Sequence, residues 1–269
     1  MVDTASLLAA YDTQWRMPTA TATVPTGVTH EYDGPLLRIV GGHVGRIRAP
    51  RDVGVRGAEL DRLIARQQEY FRDRGQGVEW KVLAHDLPEE LPERMVAAGF
   101  EPEASSAVLL GFAGEIAAEP VLPDGVVLRQ VSEARDLRRI ADHQGAVFGE
   151  DLSWVAGHLD SYVTADPGQI TIWVAEAGDL VVCTAWSLYS PGTDFVGLLG
   201  GATLTEWRGR GIYRALLAAR AREAADRGYR LLHVDASPYS APILRRCGFH
   251  EITTSTHYRW TPAARPEPR

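Results

Sequence analysis

The segment Thr205-Glu206-Trp207-Arg208-Gly209-Arg210-Gly211-Ile212-Tyr213-Arg214-Ala215-Leu216-Leu217 constrains this chain more than any other. It follows an apolar run ending Gly200-Gly201-Ala202-Thr203-Leu204 and opens an unbroken helix-forming stretch over residues 212–227. Strand, glycine turn and helix in that order leave several backbone N–H groups without intrahelical acceptors. The positive end of the helix dipole lies behind them, and glycines let the backbone come close to a ligand. The physical product is an anion site suited to a phosphate or pyrophosphate. An ordinary basic helix start with solvated arginines would carry the same residues, so the loop alone leaves both readings open.

Elimination narrows the ligand. No Gly-Lys pair occurs, which excludes the G-x-x-x-x-G-K-[ST] loop of nucleoside-triphosphate sites. A G-x-G-x-x-G dinucleotide fingerprint fails at its third glycine, where Arg214 stands. What remains is Arg208-x-x-Gly211-x-Tyr213. Downstream, the helix should stop at Asp226-Arg227-Gly228, and residues 229–234 read as a buried strand. A loop over 235–240, a short helix from about Ala241, Cys247-Gly248-Phe249 and a final strand over 253–260 follow.

This order resembles the second half of the GCN5-related N-acetyltransferases (GNAT), whose coenzyme A pyrophosphate loop reads Gln/Arg-x-x-Gly-x-Gly/Ala. The resemblance implies an α/β (α+β) acyltransferase fold with a mixed central sheet flanked by helices. It further implies acetyl-CoA as donor and a primary amine as acceptor, with direct attack on the thioester. Cofactor contacts are then expected from the backbone of Gly209, Arg210, Gly211, Ile212 and Tyr213, with charge from Arg208 and Arg210. The pantetheine arm would run along Ala202, Thr203 and Leu204, and the Leu204 N–H is the expected oxyanion donor.

Composition fits a soluble globular protein: 269 residues, 45% hydrophobic and 23% charged. A net charge of −7 argues against a general nucleic-acid partner, which needs a basic face. Cys183 and Cys247 match no zinc or thiol-redox spacing, and the histidines form no metal-like pair. The N-terminus lacks a basic segment before its short apolar run, so no export signal is read. The longest apolar stretch, 180–186, is too short to span a membrane. A cytoplasmic enzyme, monomeric or homodimeric, is the expectation.

The stretch 117–125 reads as a linker. After it the pattern gives a strand at 126–131, helices at 133–148 and 153–164, a hairpin of strands at 170–176 and 180–189, and a third strand at 194–204. The first half echoes the second. A helix at 58–72 ends in Asp73-Arg74-Gly75, and a strand at 78–84 leads to Ala98-Gly99-Phe100. Residues 80–102 pair with 229–251 at a constant offset of 149, with few identities. The stretch equivalent to the anion loop is Val55-Arg56-Gly57-Ala58, so cofactor binding is assigned to the second half alone. The expected organisation is an N-terminal extension at 1–29 with a helix at 7–14, a degenerate GNAT-like domain at 30–118, a GNAT acetyltransferase domain at 124–262 and a disordered tail at 263–269.

A protonated amine must lose a proton before it attacks. Glu150, Asp151, Glu176 and Asp194 are candidate bases, Glu150 foremost; Asp235 reads as a turn cap. The family's usual general acid, a tyrosine four residues before the glycine of Gly-Phe, is replaced by Leu244. A common asparagine is replaced by Ser237, and the last loop glycine by Tyr213. Tyr239, Ser237 and Tyr258 are the alternatives for the acid. The acceptor pocket is expected from residues 148–154 with Trp186 and Tyr189; Phe148, Trp154 and Trp186 serve as its wall or as core. Three readings stand: an acetyltransferase acting on a small-molecule amine, a coenzyme A-binding protein with a decayed active site and no turnover, and a protein or peptide N-acetyltransferase.

Overall fold

A computed structural model describes residues 2–263; the tail expected to be disordered lies, from residue 264 onward, outside the described residues. Helix α1 (Thr4–Gln14) is capped by Asp3, whose carboxylate accepts from the Ala5 N–H. Strands β1 (Thr29–Asp33), β2 (Leu36–Val40) and β3 (Gly45–Arg48) precede α2 (Ala58–Asp73), β4 (Val78–Leu83) and α3 (Leu91–Ala97). The two-residue strand β5 (Glu101–Pro102), β6 (Ser106–Phe112) and the single-turn α4 (Ala113–Ile116) follow. Residues 117–125 carry no helix or strand. Then come β7 (Val126–Gln130), α5 (Ala134–Phe148), α6 (Trp154–Ala165), β8 (Ile170–Ala177), β9 (Leu180–Tyr189) and β10 (Phe195–Thr203). They are followed by α7 (Ile212–Asp226), β11 (Leu231–Ala236), α8 (Ala241–Arg246) and β12 (His250–Trp260).

These elements pack as two compact units that are interleaved in sequence. One takes the chain up to Met17, Gly27–Val108 and the residues from Ile252; the other takes Pro18–Thr26 and Leu109–Glu251. In the first unit the strands run in the order β1-β2-β3-β4-β12, with β5 also paired to β12. The β1–β2, β2–β3 and β4–β12 pairs are antiparallel, whereas β3 and β4 are parallel and joined through α2. Helix α2 buries Leu60, Leu63, Ile64, Gln67 and Phe71, the spacing of a single helical face. That face closes a core with Leu36, Ile47, Trp80, Met95, Phe100 and Tyr258.

In the second unit the order is β11-β10-β9-β8-β7. All neighbours are antiparallel except β10 and β11, which are parallel and joined through α7. Period-2 alternation along β8 separates two helical layers. Ile170, Ile172 and Val174 pack with Leu137, Ile140 and Leu159 of α5 and α6. Ala175 joins Cys183, Ala185, Ile212 and Leu216 on the α7 side. Both units therefore contain an antiparallel meander, a crossover helix, a parallel strand and a short helix, a topological echo of the repeat seen in the sequence.

One strand start differs from expectation by two residues. Strand β11 begins at Leu231, because the Tyr229 N–H still bonds Ala224 C=O and the Arg230 N–H bonds Asp194 C=O. Asp235 lies within β11, one residue before its end. The strands β1–β3 and β6 had no counterpart in the sequence reading.

Candidate active site

The N-cap of helix α7 is Gly211, whose φ of 82° lies in the left-handed region, as does that of Gly209 at 76°. A Cβ at either position would meet nothing within 4 Å, so these glycines serve backbone conformation and leave open space in front of them. The first internal bond of the helix runs from the Ala215 N–H to Gly211 C=O. The N–H groups of Ile212, Tyr213 and Arg214 accordingly have no intrahelical acceptor. A glycine N-cap offers no side chain to satisfy them, and the first turn holds no acidic residue.

The corresponding helix of the first unit is the internal control. Its N-cap Gly57 donates its N–H to Glu90 Oε1 at 2.8 Å, and Glu59 and Asp61 occupy its first turn. That N–H is the main cause of a lowered Glu90 pKa. Arg56 is committed to Asp52 at 2.9 Å. Where α7 leaves its start open to an anion, α2 supplies carboxylates of its own.

The arginines of the loop are held rather than free. Arg208 folds back to donate from Nε to Thr203 C=O at 3.1 Å. Arg210 donates to Glu206 C=O at 3.1 Å, with its guanidinium 4.6 Å from the centroid of the Trp207 ring. Tyr213, which stands where the resemblance expects glycine or alanine, turns its ring onto Gly201; a Cβ there would lie 2.8 Å from Tyr213 Cε2. Arg220 of the same helix is fully buried, and its guanidinium donates to the Leu216 and Trp186 carbonyls.

Strand β10 has two features that open one of its edges. Pairing with β11 covers only Phe195–Gly197 against Leu231, Leu232 and His233, and β10 then continues to Thr203 without it. Against β9 the register shifts between Leu199, opposite Trp186, and Ala202, opposite Thr184, so Gly200 and Gly201 both stand opposite Ala185 in a β-bulge. Gly200 has φ 61°, and a Cβ there would lie 1.8 Å from the Trp186 ring. The bulge also decides which backbone groups face the open edge. Leu204 N–H bonds Val182 C=O at 3.0 Å, and alternation then directs Ala202 towards β9 as well. The expectation that Leu204 supplies the oxyanion donor is thereby corrected: its N–H is consumed by the ladder. The N–H groups that alternation directs to the open edge are those of Gly201 and Thr203.

The proposed acid–base residues lie on or beside separate elements, from the end of α5 to the start of α8. Glu150 is exposed, just past the left-handed Gly149 that ends α5. Tyr239 is 90% exposed, and Ser237 is an exposed residue whose hydroxyl accepts from the Ser240 N–H at the start of α8. Asp151 accepts from the Ser153 N–H in the turn just before α6. Asp194 receives two backbone N–H groups on its carbonyl. Glu176 is withdrawn as a candidate base. It is buried and bonded by Arg129 at 3.0 Å and Arg139 at 2.7 Å, and these hydrogen bonds, Arg129's first, lower its pKa. Leu244 is fully buried, so no acid can be presented from that position. Of the expected pocket wall, Trp186 and Tyr189 are core residues, whereas Phe148 is exposed. Among the described residues there is no His/Cys/Asp/Glu group suited to a metal, and no helix is long and apolar enough to cross a membrane.

Sequence comparison is silent here: no protein-family model and no curated protein matches the chain. Structural comparison is not. A GCN5-related N-acetyltransferase from Kribbella flavida superimposes with a TM-score of 0.66 at 17% identity, over 88% of this chain and 91% of that one. One from Sphaerobacter thermophilus gives 0.61 at 20% identity, over 84% and 76%. A tandem GNAT protein from the clavulanic acid biosynthesis pathway gives 0.60 at 14% identity, over 91% and 86%. The open helix start, the bulged strand and these superpositions together establish that this chain has the fold of the GCN5-related N-acetyltransferases.

Proposed function

We propose that the second unit binds acetyl-CoA and transfers its acetyl group to a primary amine of a small molecule. The observation that carries this reading is the adjacency of two unsatisfied backbone features. The uncapped start of α7 suits a pyrophosphate, and the open edge of β10 suits an amide-bearing arm that adds to it as a strand would. The fit is selective, since the equivalent helix start in the first unit is filled by Glu90. The donor supplies an activated thioester; the chain supplies binding, orientation and hydrogen bonds to developing charge. Backbone N–H groups of Gly209 to Tyr213 would hold the diphosphate, with Arg208 and Arg210 able to swing from neutral carbonyls to it. A Gly201 N–H aimed at the thioester oxygen would stabilise the transition state by roughly 3 kcal/mol. Glu150 is the carboxylate assigned to deprotonate the amine, directly or through water, while Tyr239 or Ser237 would serve the leaving thiolate. A thiolate with a pKa of roughly 8.5 leaves without a dedicated acid near neutral pH.

A second reading, coenzyme A binding without turnover, draws on one observation: the position of the family's acid is a fully buried leucine, Leu244. Thiol release from acetyl-CoA across a panel of small amines and a lysine peptide separates the readings, with mass spectrometry of the product. Release with a small amine supports the proposal, and release with the peptide alone moves the acceptor to protein. Coenzyme A binding with no release under any amine establishes the second reading.

A further inference from the structure

His143, Gln144 and Thr184 are buried polar residues grouped against the bulge of β10. Gln144 Nε2 donates to Gly200 C=O at 2.8 Å and to Thr184 Oγ1 at 2.6 Å. Thr184 Oγ1 donates in turn to the same Gly200 carbonyl at 3.2 Å, and His143 Nδ1 lies 3.4 Å from that hydroxyl. The bulge carbonyl is thus held by two side chains, one from α5 and one from β9.

A trans peptide is planar, so its C=O and N–H point in opposite directions. Anchoring Gly200 C=O towards α5 and β9 therefore turns the Gly201 N–H away from both, towards the open edge of β10. Both flanking residues are glycines, and without Cβ atoms this peptide could rotate at little steric cost. A rotated peptide would present its carbonyl oxygen, not its N–H, to that edge. Two hydrogen bonds accepted by the carbonyl also polarise the peptide and strengthen its N–H as a donor. Apolar side chains would fill the same space without a desolvation cost, so packing alone does not explain three polar ones.

We propose that Gln144, braced by Thr184, is a positioning residue that locks the Gly200–Gly201 peptide with its N–H directed at the carbonyl oxygen of the acyl donor. This rests on the acyltransferase reading above and deepens it. Gln144 acts through the peptide, and its removal should change the rate without changing donor binding.

The test compares wild type with Gln144→Leu, Gln144→Glu and Thr184→Val, by steady-state kinetics, coenzyme A titration and the nitrogen-15 spectrum of Gly201 without ligand. Gln144→Leu should lower kcat by 10- to 100-fold while KM for acetyl-CoA and the coenzyme A Kd stay within threefold. The Gly201 amide should split or shift. Gln144→Glu should recover as pH falls, because only the protonated carboxyl can donate to Gly200 C=O; the ratio of its kcat to wild type then rises. A Gly201 signal unchanged in Gln144→Leu overturns the clamp, as does an unchanged kcat, or a loss of kcat matched by a loss of donor affinity. A wild type that neither binds coenzyme A nor releases thiol overturns the acyltransferase reading, and the inference with it.

Discussion

Replacing Gly211 by aspartate would place a carboxylate where the ligand's diphosphate is expected. The geometry lets the effect be apportioned. A Cβ at Gly211 meets nothing within 4 Å, so no clash accompanies the change. The φ of 82° imposes a backbone strain of roughly 1–2 kcal/mol on any non-glycine residue. Gly211→Ala suffers the same strain and is the matched control. The added charge is what differs. At about 5 Å and an effective dielectric of about 40, each unit of ligand charge costs about 1.7 kcal/mol, so two phosphate charges cost about 3 kcal/mol. That is a loss of roughly 100-fold in affinity. Calorimetric titration with coenzyme A should show Gly211→Ala within about threefold of wild type and Gly211→Asp weaker by that larger factor, with the difference shrinking in high salt. Both variants should melt within a few degrees of each other. Equal affinity of the Asp and Ala variants would refute the assignment of the α7 start to the diphosphate.

Gly200→Ala should destabilise by about 2–5 kcal/mol, since it combines left-handed strain with an overpacked contact against Trp186; adding Trp186→Leu should recover part of the loss in thermal melting. The ion pairs of Arg129 with Asp136 and Glu176 make stability acid-sensitive. Hydrogen bonding from Arg129 lowers Asp136 from 3.8 to about 2, so its contribution is intact above about pH 4 and disappears as pH falls through about 2. Asp136→Asn should flatten denaturant-measured stability over that window and cost roughly 1.5–3 kcal/mol at pH 7; a parallel pH curve would refute it. Leu244→Tyr, which restores the family's residue, should lower stability by about 1–3 kcal/mol because the site is fully buried, and kcat should not rise.

The elements that position the site were legible because they are long and periodic. The expected helix at 212–227 is α7, Ile212–Asp226, and the hairpin at 170–176 and 180–189 is β8 with β9 almost to the residue. The glycine loop was readable because its backbone angles require glycine. Strands β1 to β3 were missed for the opposite reason: they are four or five residues long, and Thr29–Asp33 is polar and only partly buried. The donor at the strand edge was misassigned to Leu204 because one extra residue in a bulge exchanges the edge that every later N–H faces. Gly200-Gly201 was the available signal, a glycine pair inside a strand pattern. The Gln144–Thr184 anchor had no signal at all, since its members lie on a helix and two strands far apart in sequence.

The interleaving of the two units bears on how the protein is made. Strand β4 is covered along one side by β12, paired from Val78 with Trp260 to Leu83 with Ser255. During translation, the chain that forms the rest of that unit emerges first and must wait for residues 109–251, on the order of 10–30 s at ribosomal speed. Throughout that interval β4 presents a bare edge bordered by apolar Val78, Trp80 and Val82, a template for mispairing with another nascent copy. The intervening unit can complete itself in the meantime, so the segment that starts first is obliged to finish last.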